Sequence, residues 1–172
     1  MRQIVLDTET TGINPKAGHR IVEIACLELF RGEETGKVFQ RYINPTIAMP
    51  SEVQKVHGLS NEFLSDKPIF AEIADEFIDF IREAELIIHN APFDIGFINC
   101  ELSIIGKGTV ADYCPSIIDT CKIARIARPG KKNSLDALCK DMGIDNSART
   151  LHGALLDVQL LAQVYKVLNK QN

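Results

Sequence analysis

Residues 3–12 read Gln3-Ile4-Val5-Leu6-Asp7-Thr8-Glu9-Thr10-Thr11-Gly12. The apolar, β-branched opening over residues 3–7 predicts a strand, and Gly12 marks a turn beyond it. Successive side chains of a strand point to opposite faces, so Asp7 and Glu9 project to the same side. Two carboxylates then share one space near the carboxyl end of a strand, where α/β sheets place their ligand sites. Acidic turns rich in threonine and glycine are also common, and the pair alone leaves a solvated turn open.

Working outward, Ile21 to Leu29 and Val38 to Ile43 read as two further strands, with turns at Gly12, Pro15, Gly18, Gly32 and Gly36, which gives an antiparallel meander. The pattern becomes helical from Ser51, with a short element before His57-Gly58. Phe70, Ile73, Ala74, Phe77, Ile78 and Ile81 then repeat at helical spacing after Pro68. Leu86-Ile87-Ile88 is a short buried strand, and Pro92 opens a helix over Phe93 to Ile105 that ends near Gly106. A helix near Ile117–Ala127, a break at Pro129-Gly130, a helix capped by Ser134 and a last helix from about Gly153 to Leu168 complete the chain. The sum is an α/β fold, one mixed sheet covered by helices, with residues 1–172 as a single domain.

Close to half of the 172 residues are apolar, enough for a sizeable core. No apolar run reaches the ~18 residues that cross a bilayer, and the opening residues read as a strand rather than a signal peptide. A cytoplasmic protein with no membrane partner is expected. The five cysteines are an odd number, scattered without a CxxC pair, which points to reduced core thiols rather than disulfides or a zinc site.

The formal net charge of −4 runs against the basic surface that phosphate binding favours. If four carboxylates belong to one metal site, however, the rest of the chain is neutral, and two divalent ions would offset the site itself. Lys122, Arg125, Arg128, Lys131 and Lys132 fall in one stretch without an acidic residue. That stretch reads equally as a phosphate-facing patch or as a solvated helix face and loop.

The last helix carries the sharper clue. Asp157, Leu161, Val164 and Leu168 fall on one stripe, so a carboxylate shares the face that packs inward. A buried carboxylate needs a cation, a strong hydrogen-bond set or a raised pKa, and the ordinary solution is an ion pair with an arginine or lysine. Asp94 begins a helix just after a strand, where stabilising the helix dipole is its ordinary role. His152 precedes Asp157 by about 140° of helical turn, so it belongs to the segment entering the helix. There an imidazole with an unperturbed pKa of about 6.5 is suited to taking a proton from water.

Taken together, Asp7-Thr8-Glu9-Thr10-Thr11-Gly12, His89-Asn90-Ala91-Pro92-Phe93-Asp94 and His152-Gly153-Ala154-Leu155-Leu156-Asp157 resemble the three exonuclease motifs of the DEDD superfamily, in its DEDDh branch. Val56-His57-Gly58, Asn133 to Leu138 and Asp145-Asn146-Ser147 are most similar to the proofreading epsilon subunits within that family. The resemblance implies a ribonuclease H-like mixed five-stranded sheet flanked by helices, and a metal-dependent 3′→5′ exonuclease releasing nucleoside 5′-monophosphates.

By the same resemblance, Asp7, Glu9 and Asp157 bind one Mg²⁺ or Mn²⁺, Asp7 also holds a second, Asp94 acts through bound waters, and His152 is the general base. It implies substrate contacts at Asp7, Glu9, Asp157, Thr10, Thr11, Ile13, Glu52, Val56, His57, Asn90 and Phe93. Implied partners are single-stranded or frayed DNA 3′ ends, the polymerase III catalytic subunit and a small accessory subunit. The motifs are common to DNA- and RNA-directed members, and the epsilon-like stretches favour DNA. The polymerase-tethering segment of such subunits is expected to lie outside these 172 residues.

Overall fold

The computed structural model describes residues 1–170. β1 (Arg2–Thr10), β2 (Ile21–Phe30) and β3 (Glu33–Tyr42) form the antiparallel meander. Helices α1 (Ser51–His57), α2 (Asn61–Leu64) and α3 (Phe70–Ile81) lead to β4 (Glu85–Ile88). Then come α4 (Ala91–Ile104), β5 (Ser116–Asp119), α5 (Thr120–Ala127), α6 (Leu135–Met142) and α7 (Ala154–Lys170). The sheet order is β3-β2-β1-β4-β5, with β4 and β5 parallel to β1. The first strand therefore lies at the centre, which helical crossovers to parallel strands require.

Alternation along β1 assigns the two faces. Ile4 and Leu6 join a core with Phe39, Phe70, Phe77, Ile81 and Phe97, under α3 and α4. Val5 points the other way, into a core with Ala25, Leu27, Ile87, Leu138, Val158, Leu161 and Leu168, under α6 and α7. Each such fully buried aliphatic side chain contributes roughly 1.5–3 kcal/mol relative to exposure. Asp7 and Glu9 share the parity of Val5 and face α7, whereas Thr8 faces α4.

Three expectations are corrected. Ile117 and Ile118 do not open a helix. They pair in parallel with Leu86 and Ile87 as the edge strand β5, and Asp119 then starts α5 by accepting the backbone N–H groups of Cys121 (2.9 Å) and Lys122 (3.3 Å). A short apolar run carries no periodicity that separates the two states. β3 begins at Glu33, its exposed polar half giving no alternation to read. The one-turn helix α2, capped by Ser60, falls where no element was expected. The cysteines are all free, four of them buried and Cys100 half-buried. Among the described residues no helix is long and apolar enough to cross a membrane.

Candidate active site

β1 delivers two acids to one side and their organiser to the other. Thr8, on the α4 face, holds Asp94 in the first turn of α4: its N–H donates to Asp94 Oδ1 at 3.0 Å and its hydroxyl donates to the same oxygen at 2.7 Å. Asp94 is almost fully buried. The residue before α4, Asn90, sits in the left-handed region at φ 67°, and its N–H donates to Asp119 Oδ1 at 3.1 Å. Among non-glycine residues asparagine adopts this left-handed conformation most readily.

α7 brings the fourth acid. Asp157, Leu161, Val164 and Leu168 are all buried, as the stripe requires. The helix start is anchored by Glu23, opposite Glu9 in the β1–β2 register, whose Oε2 accepts the N–H of Ala154 at 3.2 Å. A carboxylate at a helix N-terminus satisfies an orphan donor and complements the dipole. His152 stands exposed just ahead of α7, tied by its backbone N–H to the carbonyl of Val56 at 2.9 Å.

Arg149 is the residue that sequence reasoning missed by name. Its Nε donates to Asp157 Oδ1 at 2.7 Å and its Nη2 to Oδ2 at 2.8 Å, a bidentate pair. Nη1 reaches Asp136 Oδ2 at 2.7 Å, and Nη2 lies 3.2 Å from His152 Nδ1. The signal that could have found it was the need of an inward-facing Asp157 for a cation, in a loop only three residues before the histidine.

These groups line a cavity of about 620 Å³. It gathers Asp7, Glu9, Thr10, Ile13, Glu52, Val56, His57, Asn90, Phe93, Asp94, His152 and Asp157, together with Val53, Leu135 and Leu161. Thr11 is not among them. It is fully buried, its hydroxyl accepting the N–H of Arg20 at 3.0 Å and meeting His19 Nδ1 at 3.1 Å, which turns it away from the cavity. His57 is buried, and its Nδ1 accepts the N–H of Leu59 at 3.1 Å. Nε2 therefore carries the proton, and it is the one buried side-chain polar atom without a hydrogen-bond partner among the described residues. It is a donor available to whatever fills the cavity.

The electrostatics are those of an acid cage. Burial, then the charges of Asp94, Glu9, Asp157 and Glu23, push Asp7 well above the usual carboxylate range. Burial and the neighbouring Asp157 and Glu23 raise Glu9 to about 8, against the pull of Arg149. Burial raises Asp94 to about 7 despite its hydrogen bonds from Thr8. Among the described residues lining the cavity, Arg149 is the only arginine or lysine, one cation set against the carboxylates of Asp7, Glu9, Asp94 and Asp157. Glu9, His152 and Asp157 present ligand atoms all within 4.8 Å of one another. Hard oxygen donors crowded against their own repulsion suit divalent cations.

Comparison with known proteins agrees with this geometry. Residues 4–165 match the family model described as Exonuclease, RNase_T. The chain belongs to the exonuclease family. The polymerase III epsilon subunit of Rickettsia conorii is 53% identical to this exonuclease over 166 residues, covering 96% of it and 72% of that subunit. The epsilon subunit of Escherichia coli K12 is 52% identical over 170 residues, 95% of this chain and 70% of that one. Among solved structures, the zinc-bound complex of E. coli exonuclease I with single-stranded DNA superposes with a TM-score of 0.86 at 19% identity, over 99% of this chain and 41% of that one. The nuclease domain of 3′hExo, a DEDDh family member bound to rAMP, gives 0.83 at 18% identity, over 99% and 92%. The exonuclease thus has the ribonuclease H-like mixed sheet flanked by helices, and exonucleases of this family depend on divalent metal.

Proposed function

We propose that this exonuclease removes single nucleotides from unpaired DNA 3′ ends as the proofreading epsilon subunit of a replicative polymerase III. The observation that carries the reading is the convergence of Asp7, Glu9, Asp94, Asp157 and His152 from separate segments on one cavity. Identity above half to epsilon subunits over nearly the whole chain supports the DNA assignment. In such an assembly its protein partners would be the polymerase catalytic subunit and a small accessory subunit.

Asp7, Glu9 and Asp157, with Asp94, would hold two Mg²⁺ or Mn²⁺ ions, which when bound supply an activated water and charge stabilisation for an in-line displacement. The protein's own groups do the rest. Thr8 fixes Asp94, and Glu23 fixes the α7 N-terminus so that Asp157 points inward. His152, on a tethered but solvent-exposed segment, takes the proton of the attacking water. The mixed apolar wall of Ile13, Val53, Phe93 and Leu161 receives the terminal nucleoside, with Glu52, Thr10 and the Nε2–H of His57 at hand for its polar edge.

Such a cavity takes one nucleotide only after the end has melted, and a mispaired end melts at lower cost. Digestion of matched and mispaired primer termini, with an RNA strand of the same sequence alongside, tests the reading. Faster release from mispaired DNA is expected. Equal rates at both DNA termini, or preference for RNA, would overturn it.

A further inference from the structure

A second concavity, of about 440 Å³, opens beside the first and shares His89, Asn90 and Ser134 with it. Its chemistry differs. The main cavity sets the acid cage against an apolar wall of Ile13, Val53, Val56, Phe93, Leu135 and Leu161, whereas this groove is walled by polar side chains and by two cations, Arg125 from the last turn of α5 and Lys131 from the following loop. Both are exposed, and neither enters an ion pair or a side-chain hydrogen bond among the described residues. No acidic side chain lines the groove among those residues.

The nearby charges are already committed. Asp119 Oδ1 accepts three backbone N–H groups, from Asn90, Cys121 and Lys122. Arg128, the cation between the two in sequence, is paired with Asp141 and withdrawn from the groove. The His89 ring is pinned between Thr120 Oγ1 at 2.9 Å and the Asn133 carbonyl at 2.8 Å, which commits both ring nitrogens within the protein. At the seam stands left-handed Asn90, whose side-chain amide makes no hydrogen bond among the described residues. In a chain of net charge −4, this sets two unpaired cations next to an acid cage.

We propose that this groove is the track for the substrate backbone, with Arg125 and Lys131 as counter-ions to phosphodiesters on the 5′ side of the scissile bond. The division of labour follows from chemistry: the apolar wall of the main cavity suits the terminal nucleoside, and a polar groove with free cations suits the phosphates that precede it. Asn90, left-handed and unpartnered, is placed to hydrogen-bond the unit that crosses between them. Of the five cations in the stretch from Lys122 to Lys132, the structure singles out two. The inference rests on the exonuclease reading above.

The experiment compares a thymidine dodecanucleotide with the p-nitrophenyl ester of thymidine 5′-monophosphate, which has no upstream phosphate. Arg125→Ala combined with Lys131→Ala should raise KM for the dodecanucleotide about tenfold and reduce the slope of log kcat/KM against log salt by about 1.4, two cations at ~0.7 each. Its kcat on the ester should not change. Arg31→Ala with Lys37→Ala, on the β2–β3 hairpin outside both concavities, removes the same charge and should behave as the unmodified protein.

An unchanged KM and salt slope on the strand would overturn the track while leaving the exonuclease reading intact. So would an equal loss on the ester, which would mean that the cations act on the acid cage through the general field. An unmodified protein that cleaves neither substrate would remove the exonuclease reading and the track with it.

Discussion

Arg149 grips Asp157 through two parallel hydrogen bonds of 2.7 and 2.8 Å, both side chains being nearly inaccessible to solvent. The guanidinium is the positive charge that the acid cage holds against itself. Removing one partner of a buried pair strands the other, which typically costs 3–5 kcal/mol. Arg149→Met should therefore lower the melting temperature of the metal-free protein, with the loss concentrated in the α6–α7 side of the core. Saturating Mn²⁺ should recover more stability in the variant than in the unmodified protein. Thermal melts with and without Mn²⁺ measure both, and a variant that melts like the unmodified protein would show the pair to be dispensable.

The acids also set a dependence on pH. Glu9 at about 8 and Asp94 at about 7 lie above their unfolded values near 4.5 and 3.8. The folded state thus binds more protons than the unfolded one across that range, and stability falls as pH rises. Their contribution is fullest below the unfolded values and is lost as pH passes the folded ones. Metal-free protein should melt at progressively lower temperature from pH 5 to pH 8. Divalent cation should flatten the trend, because it replaces protons as the compensating charge. A melting temperature that climbs over that window without metal would contradict the acid cage.

Asp7→Ala should abolish nucleotide release, since Asp7 stands where the charges of the other three acids meet. His152→Ala should slow release by ~10²–10⁴-fold while leaving Mn²⁺ binding close to that of the unmodified protein. Strand digestion paired with calorimetric metal titration distinguishes the two roles. Loss of metal binding in the histidine variant would move His152 from proton transfer to ligation.

Glu23 gives a test of positioning. Glu23→Ala removes the acceptor of the Ala154 N–H and should cost about 1 kcal/mol, in the range of lost helix caps. Glu23→Gln keeps an acceptor and should recover most of that stability. If α7 is aimed by this contact, kcat should fall in the alanine variant and return in the glutamine one, with KM little altered. Identical kinetics in both would confine Glu23 to a structural part.

Much of this was legible before any coordinates. Period two placed Asp7 and Glu9 on one face, and period 3.6 placed Asp157 inward, because both follow from local geometry alone. β1, β2, β4 and the helix over Phe70–Ile81 were equally visible. Long-range relations were not. Thr8 meets Asp94 across 86 positions and Glu23 meets Ala154 across 131, separations that no local window spans. Arg149 was anticipated only as a type, because Asp136, His152 and Asp157 converge on it through the folding of a loop. β5 was hidden because Ile117-Ile118 alone carries no period, and the inward turn of the Thr11 side chain was not legible because it depends on His19 and Arg20.

The central place of β1 bears on how the molecule comes into being. During synthesis, which proceeds from the amino end, the strand bearing Asp7 and Glu9 is made before its neighbour β4 by tens of residues and before the helix bearing Asp157 by well over a hundred. A partly made chain has half a set of acids and nothing to close it. If those acids hold the metal as proposed, the ability to cut appears together with the completed fold.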